Sequence, residues 1–166
     1  MPMDADIVYV IGDATHPQGQ GPRVIVHVCN DLGGWGRGFV LALSRAYPEP
    51  ERRYRAWHAR GEDDGAPFAL GQAQIVPLAP GLWVANVIGQ HGTRRAGSDG
   101  PPPVRYEAIR QGLARVASFA RAHDASVHMP RIGTGLAGGE WFEIEAIVRD
   151  ELTTHSVPVT VYDLAH

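Results

Sequence analysis

The residues with chemistry to offer fall into four short stretches. "NDLGGWGRG" (30–38) and "RIGTGLAGG" (131–139) are glycine loops, each lying between a β-branched apolar run and an amphipathic one. Glycine lets backbone N–H groups face an anion with no Cβ in the way. A following helix adds unpaired donors and the positive end of its dipole. Two such loops at one sheet edge would hold a diphosphate between them, whereas either loop alone reads equally well as a tight turn. "GDA" (12–14) puts a carboxylate, Asp13, straight after an apolar run, as a hydrogen-bond acceptor or as a turn residue. "GQHG" (89–92) ends another apolar run with two polar side chains, Gln90 and His91.

Other chemistries are excluded or thin. There is no GK[ST], so neither loop is a P-loop, and "GWGRGFV" lacks the third glycine and partner acid of a dinucleotide fingerprint. The eight histidines include no HExxH pattern, so no metal site is expected. The single cysteine, Cys29, sits in "VIVHVC" and reads as a small buried hydrophobe rather than a reactive thiol. All fifteen basic residues are arginine, so no lysine nucleophile exists anywhere in the 166 residues. A net charge of −3 leaves no footprint for general nucleic-acid binding. The chain has no signal-like or long apolar run, so the expectation is a cytoplasmic monomer without membrane contact.

The elements that must position these residues follow from periodicity. Six β-branched runs read as strands: 6–12, 23–29, 73–79, 82–89, 126–130 and 158–164. Several are continuously apolar, as strands covered on both faces should be. Four stretches read as helices: 35–47, 48–60, 104–122 and 140–152. In the third, Ile109, Leu113, Val116 and Ala120 step by four, three and four; Trp141, Ile144, Val148 and Leu152 line the fourth. Alternating strands and helices predict an α/β domain, a three-layer α/β/α sandwich around a mixed, mostly parallel sheet of about six strands. One domain is expected over 1–166. Two loops rich in Gly, Pro and charge, 61–71 and 92–103, fall outside the pattern, the second as a rim loop.

The order "VIGDA" (10–14), "CNDLGGWGRGF" (29–39), "VANVIGQHG" (84–92) and "MPRIGTGLAGGEW" (129–141) resembles the macrodomain family, over about residues 6 to 163. It is most like the branch that contains terminal ADP-ribose protein glycohydrolase. The resemblance implies ADP-ribose and ADP-ribosylated proteins as partners, with no cofactor. It also implies removal of mono-ADP-ribose from acidic side chains. It places Asp13 on the adenine amino group with the Ala14 N–H beside it. Gly34, Trp35, Gly36, Arg37 and Gly38 would line the distal ribose and one phosphate. Ile132, Gly133, Thr134, Gly135 and Leu136 would cradle the diphosphate through their N–H groups. Arg131 would anchor that loop to a carboxylate, and Glu140 would cap the helix after it.

The pattern breaks where catalysis is implied. The branch's lysine position is Gln90 and its aspartate position is Ala137. A second branch holds water with an asparagine and an aspartate; Asn30 matches the first, but Arg37 stands where the second belongs. What the resemblance leaves is a hydrolase without lysine or metal, its water held by Asn30 or Gln90 and deprotonated by a ligand phosphate. Asp31 is a further base if its carboxylate turns inward. The alternatives are a non-catalytic ADP-ribose reader and an ADP-ribose phosphate phosphatase drawing on His91.

Overall fold

The computed structural model describes residues 6–94, 97 and 99–165. All six apolar runs are strands and all four periodic stretches are helices. In chain order they are β1 (Val8–Ile11), β2 (Arg23–Asn30), α1 (Phe39–Ala46), α2 (Glu49–Arg60), β3 (Glu62–Asp63), β4 (Ala66–Pro67), β5 (Ala73–Ala79), β6 (Leu82–Gln90), α3 (Tyr106–His123), β7 (Ser126–Met129), α4 (Trp141–Glu151) and β8 (Val159–Asp163). The sheet order is β1-β8-β7-β2-β6-β5. Every pairing is parallel except β5 with β6. The carboxyl ends of β1, β8, β7, β2 and β6 therefore emerge along one edge, and the loops that leave that edge hold all four chemical stretches.

The continuous apolar character of β2 and β6 has its cause in the two cores. Val24 and Val26 of β2, with Ala85 and Val87 of β6, join the core under α3 and α4. Ile25 and Cys29, with Val84 and Ile88, join the second core under α1 and α2. Both faces are covered, so alternation disappears. Cys29 is buried, and desolvation pushes its thiol above the ordinary range. At two points helix and sheet touch so closely that a side chain would not fit. A Cβ at Gly112 of α3 would lie 2.3 Å from Val87, and one at Gly89 of β6 would lie 2.7 Å from Ile109.

One polar seam crosses the second core. His27 Nε2 lies 2.5 Å from Asn86 Oδ1, and Asn86 Nδ2 donates to Gln74 Oε1 (3.0 Å) and to the Pro50 carbonyl (3.2 Å). Gln74 Nε2 donates to the Arg53 carbonyl (3.0 Å) and to Asp63 (2.6 Å). The amide directions leave Asn86 Oδ1 as an acceptor, so His27 carries its proton on Nε2. Burial holds that imidazole neutral, its pKa lowered to about 4. The seam pins two carbonyls of α2 to the sheet and so sets that helix's register.

The loop at 61–71 holds a small hairpin that periodicity did not reveal: β3 and β4 pair antiparallel across Asp64 and Gly65, both at positive φ. The Asp-Gly pair is the signal for such a turn, but the two-residue strands are too short to carry a period. Of the expected rim loop at 92–103, residues 95, 96 and 98 lie outside the described residues. Among the described residues no helix is long and apolar enough to cross a membrane.

A candidate anion-binding cleft

Between β7 and β2 the chain changes sides. From β2 it passes to α1 on one face, and from β7 it passes to α4 on the other. A crevice opens at such a switch point because the two loops diverge. Here it is a cleft of about 580 Å³ lined by Asn30, Gly34 to Gly38, Gln90 and Ile132 to Leu136, among others. Both glycine loops thus face one cavity, as the sequence implied. Asp13, Ala14 and Asp31 are not in its lining.

The second loop offers backbone. The N–H groups of Ile132, Gly133, Gly135 and Leu136 meet no acceptor among the described residues, while Thr134 turns back on the Arg131 carbonyl, which takes its hydroxyl at 2.7 Å. Gly133 (φ 74°) and Gly135 (φ 67°) are left-handed, a geometry that turns successive N–H groups inward as an anion nest. The loop's base is tight. Gly139 N–H bonds the Gly133 carbonyl at 2.8 Å, and a Cβ on Gly139 would sit 2.4 Å from that oxygen. A Cβ on Gly135 would meet nothing within 4 Å, so that residue borders open space. Arg131 anchors the loop outward. Its guanidinium grips Asp163 at 2.7 and 2.9 Å and lies over the rings of Tyr9 and Trp141. Glu140 occupies the N-cap position of α4 but makes no side-chain cap bond; its own N–H is held by Tyr106 at 3.0 Å.

The first loop is organised by one side chain. Asn30 Oδ1 accepts from the N–H groups of Leu32 (2.9 Å) and Gly34 (3.0 Å), and Nδ2 donates to the Gly34 carbonyl (3.0 Å). Helix α2 braces the same loop from below: Arg55 reaches the Gly33 carbonyl at 3.3 Å, and the His58 ring fills the space where a Gly33 Cβ would be. Trp35 faces the cleft but is a wall more than a cover. It is 6% exposed, packs edge-on to His27 at 5.2 Å and donates Nε1 to Ser44 at 2.8 Å. After it the loop enters α1 through Gly38 (φ 77°), with no side-chain cap and no acid in the first turn. An uncapped helix end at a cleft wall favours an anion. Arg37 is exposed there with no ion-pair partner among the described residues.

At the β6 end, Gln90 pairs in register with Asn30. Its Nε2 donates to the Gly92 carbonyl at 3.0 Å, while Oε1 accepts nothing among the described residues. Asp31 does not turn inward. Its carboxylate takes the Gly92 N–H (2.8 Å) and His91 Nδ1 (2.7 Å), and so ties the β2 loop to the β6 loop. Burial opposes its charge, but these two donors outweigh burial and hold its pKa below the usual range. The inward base considered for Asp31 is therefore a strut. Thr93 and Arg94 also line the cleft. Sequence reasoning missed them, because a Thr-Arg pair in a polar loop carries no periodic or motif signal.

At the opposite end of the edge, after β1, Asp13 is half-exposed and builds its own turn. Its Oδ1 accepts from the Thr15 N–H (2.9 Å) and hydroxyl (2.7 Å), and among the described residues Oδ2 has only His16, at 3.5 Å. The buried Ala14 keeps an N–H without an acceptor among the described residues.

Fold and cleft together define a three-layer α/β domain with a phosphate-type crevice at its parallel-strand edge. The comparisons with known proteins give that class its family. No family model matches the chain. A macrodomain protein from Streptomyces coelicolor is 55% identical, with a TM-score of 0.81, over 95% of this chain and 99% of that one. The ADP-ribose 1''-phosphate phosphatase of Chaetomium globosum is 31% identical over 71% of this chain and 70% of its own length. The mouse chromodomain-helicase-DNA-binding protein 1-like is 34% identical over 94% of this chain. The chain spans only 17% of that relative's length, and 15% of its zebrafish (Danio rerio) counterpart's. The chain belongs to the macrodomain family.

Proposed function

We propose that the cleft binds ADP-ribose and that the protein hydrolyses mono-ADP-ribose from acidic side chains of modified proteins, by water and without a lysine. The observation that carries this reading is the set of N–H groups at Ile132, Gly133, Gly135 and Leu136, without acceptors among the described residues, on the same cleft as the uncapped start of α1. Those donors suit a diphosphate. With the adenine toward Asp13, the distal ribose falls toward Asn30 and Gln90, since β1 and β6 lie four strand steps apart on the same edge.

At that end the free atoms are complementary. Asn30 keeps one Nδ2 hydrogen, a donor, and Gln90 keeps Oε1, an acceptor. A water can accept from the first and donate to the second. Its oxygen attacks the anomeric carbon, the bond to the carboxylate oxygen breaks, and the carboxylate leaves with the electron pair. The water's proton passes to a diphosphate oxygen, because an amide can orient it but cannot take it. A carboxylate is already a good leaving group, so orientation supplies most of the needed acceleration.

The test is release of ADP-ribose from a protein mono-ADP-ribosylated on glutamate, in chelator, against an enzyme-free control. Release above control supports the hydrolase. Tight binding of free ADP-ribose with no release favours the second reading, a reader module. That reading is favoured by the lost lysine and aspartate (Gln90 and Ala137) and by the larger relatives of which this chain matches only a part.

A further inference from the structure

Asn30 orders a water only if its amide is held both one way round and in one place, and one of the groups that hold it lies outside every motif. Tyr54, in the middle of α2, is fully buried. Its hydroxyl hydrogen is shared between the Asn30 carbonyl at 2.6 Å and Asn30 Oδ1 at 3.1 Å. With the N–H groups of Leu32 and Gly34, it makes Oδ1 the target of three donors. A flipped amide would set its own N–H groups against the Leu32 and Gly34 donors and its oxygen against the Gly34 carbonyl, so these backbone groups fix which way round it sits. The Tyr54 hydroxyl ties both the Asn30 carbonyl and its amide to α2. The Tyr54 ring is clasped by Trp35 at 5.4 Å and Phe68 at 5.7 Å, and α2 is pinned to the sheet by Asn86 and Gln74. Burial pushes the phenol above its ordinary range, so the hydroxyl stays a donor across the pH range in which the protein would work.

We propose that Tyr54 is a positioning residue for the reaction: it anchors the Asn30 carbonyl and amide against α2, so that the amide, its direction set by Leu32 and Gly34, is held in place at the cleft. This rests on the hydrolase reading for its kinetic consequence and on geometry alone for the locking. A donor at that point orders a water or ribose oxygen with its lone pair held and its hydrogens free for Gln90. With the hydroxyl gone, Asn30 keeps its bonds to Leu32 and Gly34 but loses its tie to α2, so the amide drifts with its loop and orders the water less well. Tyr54 touches neither ligand nor water.

The experiment compares wild type, Tyr54→Phe and Asn30→Asp. Each is followed by hydrolysis kinetics, by ADP-ribose calorimetry and by the Asn30 side-chain NH₂ signals in a ¹⁵N spectrum, the last for the two chains that keep the amide. Tyr54→Phe keeps the ring and its packing. We expect kcat to fall about tenfold with ADP-ribose affinity within about twofold, as misorientation without lost binding predicts. The Asn30 NH₂ pair should shift when ADP-ribose is added to wild type and lose that shift in Tyr54→Phe. Asn30→Asp has no hydrogen to present and should lose turnover by a similar factor with Tyr54 intact, which keeps the test open should the Phe variant fold poorly. Unchanged turnover in either variant, or Asn30 signals indifferent to the Tyr54 hydroxyl, overturns the proposal. A wild type that binds but never turns over defeats the hydrolase reading instead, and the NH₂ signals then decide the locking by themselves.

Discussion

The two glycine loops face each other across one cleft and are built on opposite plans. The loop after β7 offers its backbone: the N–H groups of Ile132, Gly133, Gly135 and Leu136 meet no acceptor among the described residues, and the loop is held by glycines pressed against the core and by the Arg131–Asp163 clamp. The loop after β2 uses a side chain internally, with Asn30 tying Leu32 and Gly34 while α2 supports it from below. The contrast teaches a division of labour. Backbone donors read charge and depend on a tightly packed base, where Gly133 and Gly139 leave no room for a Cβ; a fixed amide reads one atom and depends on its neighbours for direction.

The largest expected effect breaks the first plan at its base. Gly139→Ala puts a Cβ within 2.4 Å of the Gly133 carbonyl, a backbone atom that cannot swing aside. We expect a loss of about 3 kcal/mol or more in a denaturant titration. A loss under about 1 kcal/mol would mean that this loop is as adaptable as the other. Next, Gly135→Glu projects into open space, so the fold should survive at a cost of about 1–2 kcal/mol for the left-handed backbone. ADP-ribose binding should vanish in calorimetry, because a carboxylate now occupies the anion nest. Retained binding by the folded variant would place the ligand elsewhere.

Acid tests what lies beneath each loop. His27 underlies the first loop through Trp35, and His128 sits in β7, which leads into the second. Burial lowers both pKa values to about 4, against 6.5 for a free imidazole. The unfolded chain therefore binds more protons, so stability is full above pH 6.5 and drains as pH falls toward 4. For His27 alone the loss should reach on the order of 2–3 kcal/mol, seen as falling denaturation midpoints between pH 7 and 4.5. A flat profile would mean that both rings accept their protons in the folded state. The smallest effect concerns Arg37, exposed at the cleft mouth. Arg37→Ala should weaken ADP-ribose binding by only about threefold at low salt, and by less in high salt where screening takes over. A salt-independent loss would put its guanidinium directly on a phosphate.

How far the chain could be read without coordinates differs between fold and site. Periodicity located every main strand and helix, because each buries a face or both faces and composition records burial. Glycine spacing located both loops, since the left-handed φ of 133 and 135 favours glycine. The roles of polar side chains were far less legible. Asp31 carries an acid beside a candidate catalytic residue, yet it points to His91 and Gly92, a direction set by the sheet register that aligns Asn30 with Gln90. Trp35 proved to be a packed wall, for its Nε1 found Ser44 one turn into α1. Thr93 and Arg94 line the cleft as well, which no local pattern encodes.

The sequence by itself determined the layers, the two glycine turns, the absence of any lysine nucleophile and the membership of a phosphate-type fold. These are properties of residue type and near-neighbour spacing. Only the tertiary structure decided which donors stay unsatisfied, which way the amides of Asn30 and Gln90 face, and that a buried tyrosine twenty-four residues away holds one of them. Hydrogen-bond direction depends on what packs nearby in space, and the chain brings those partners together only when it folds.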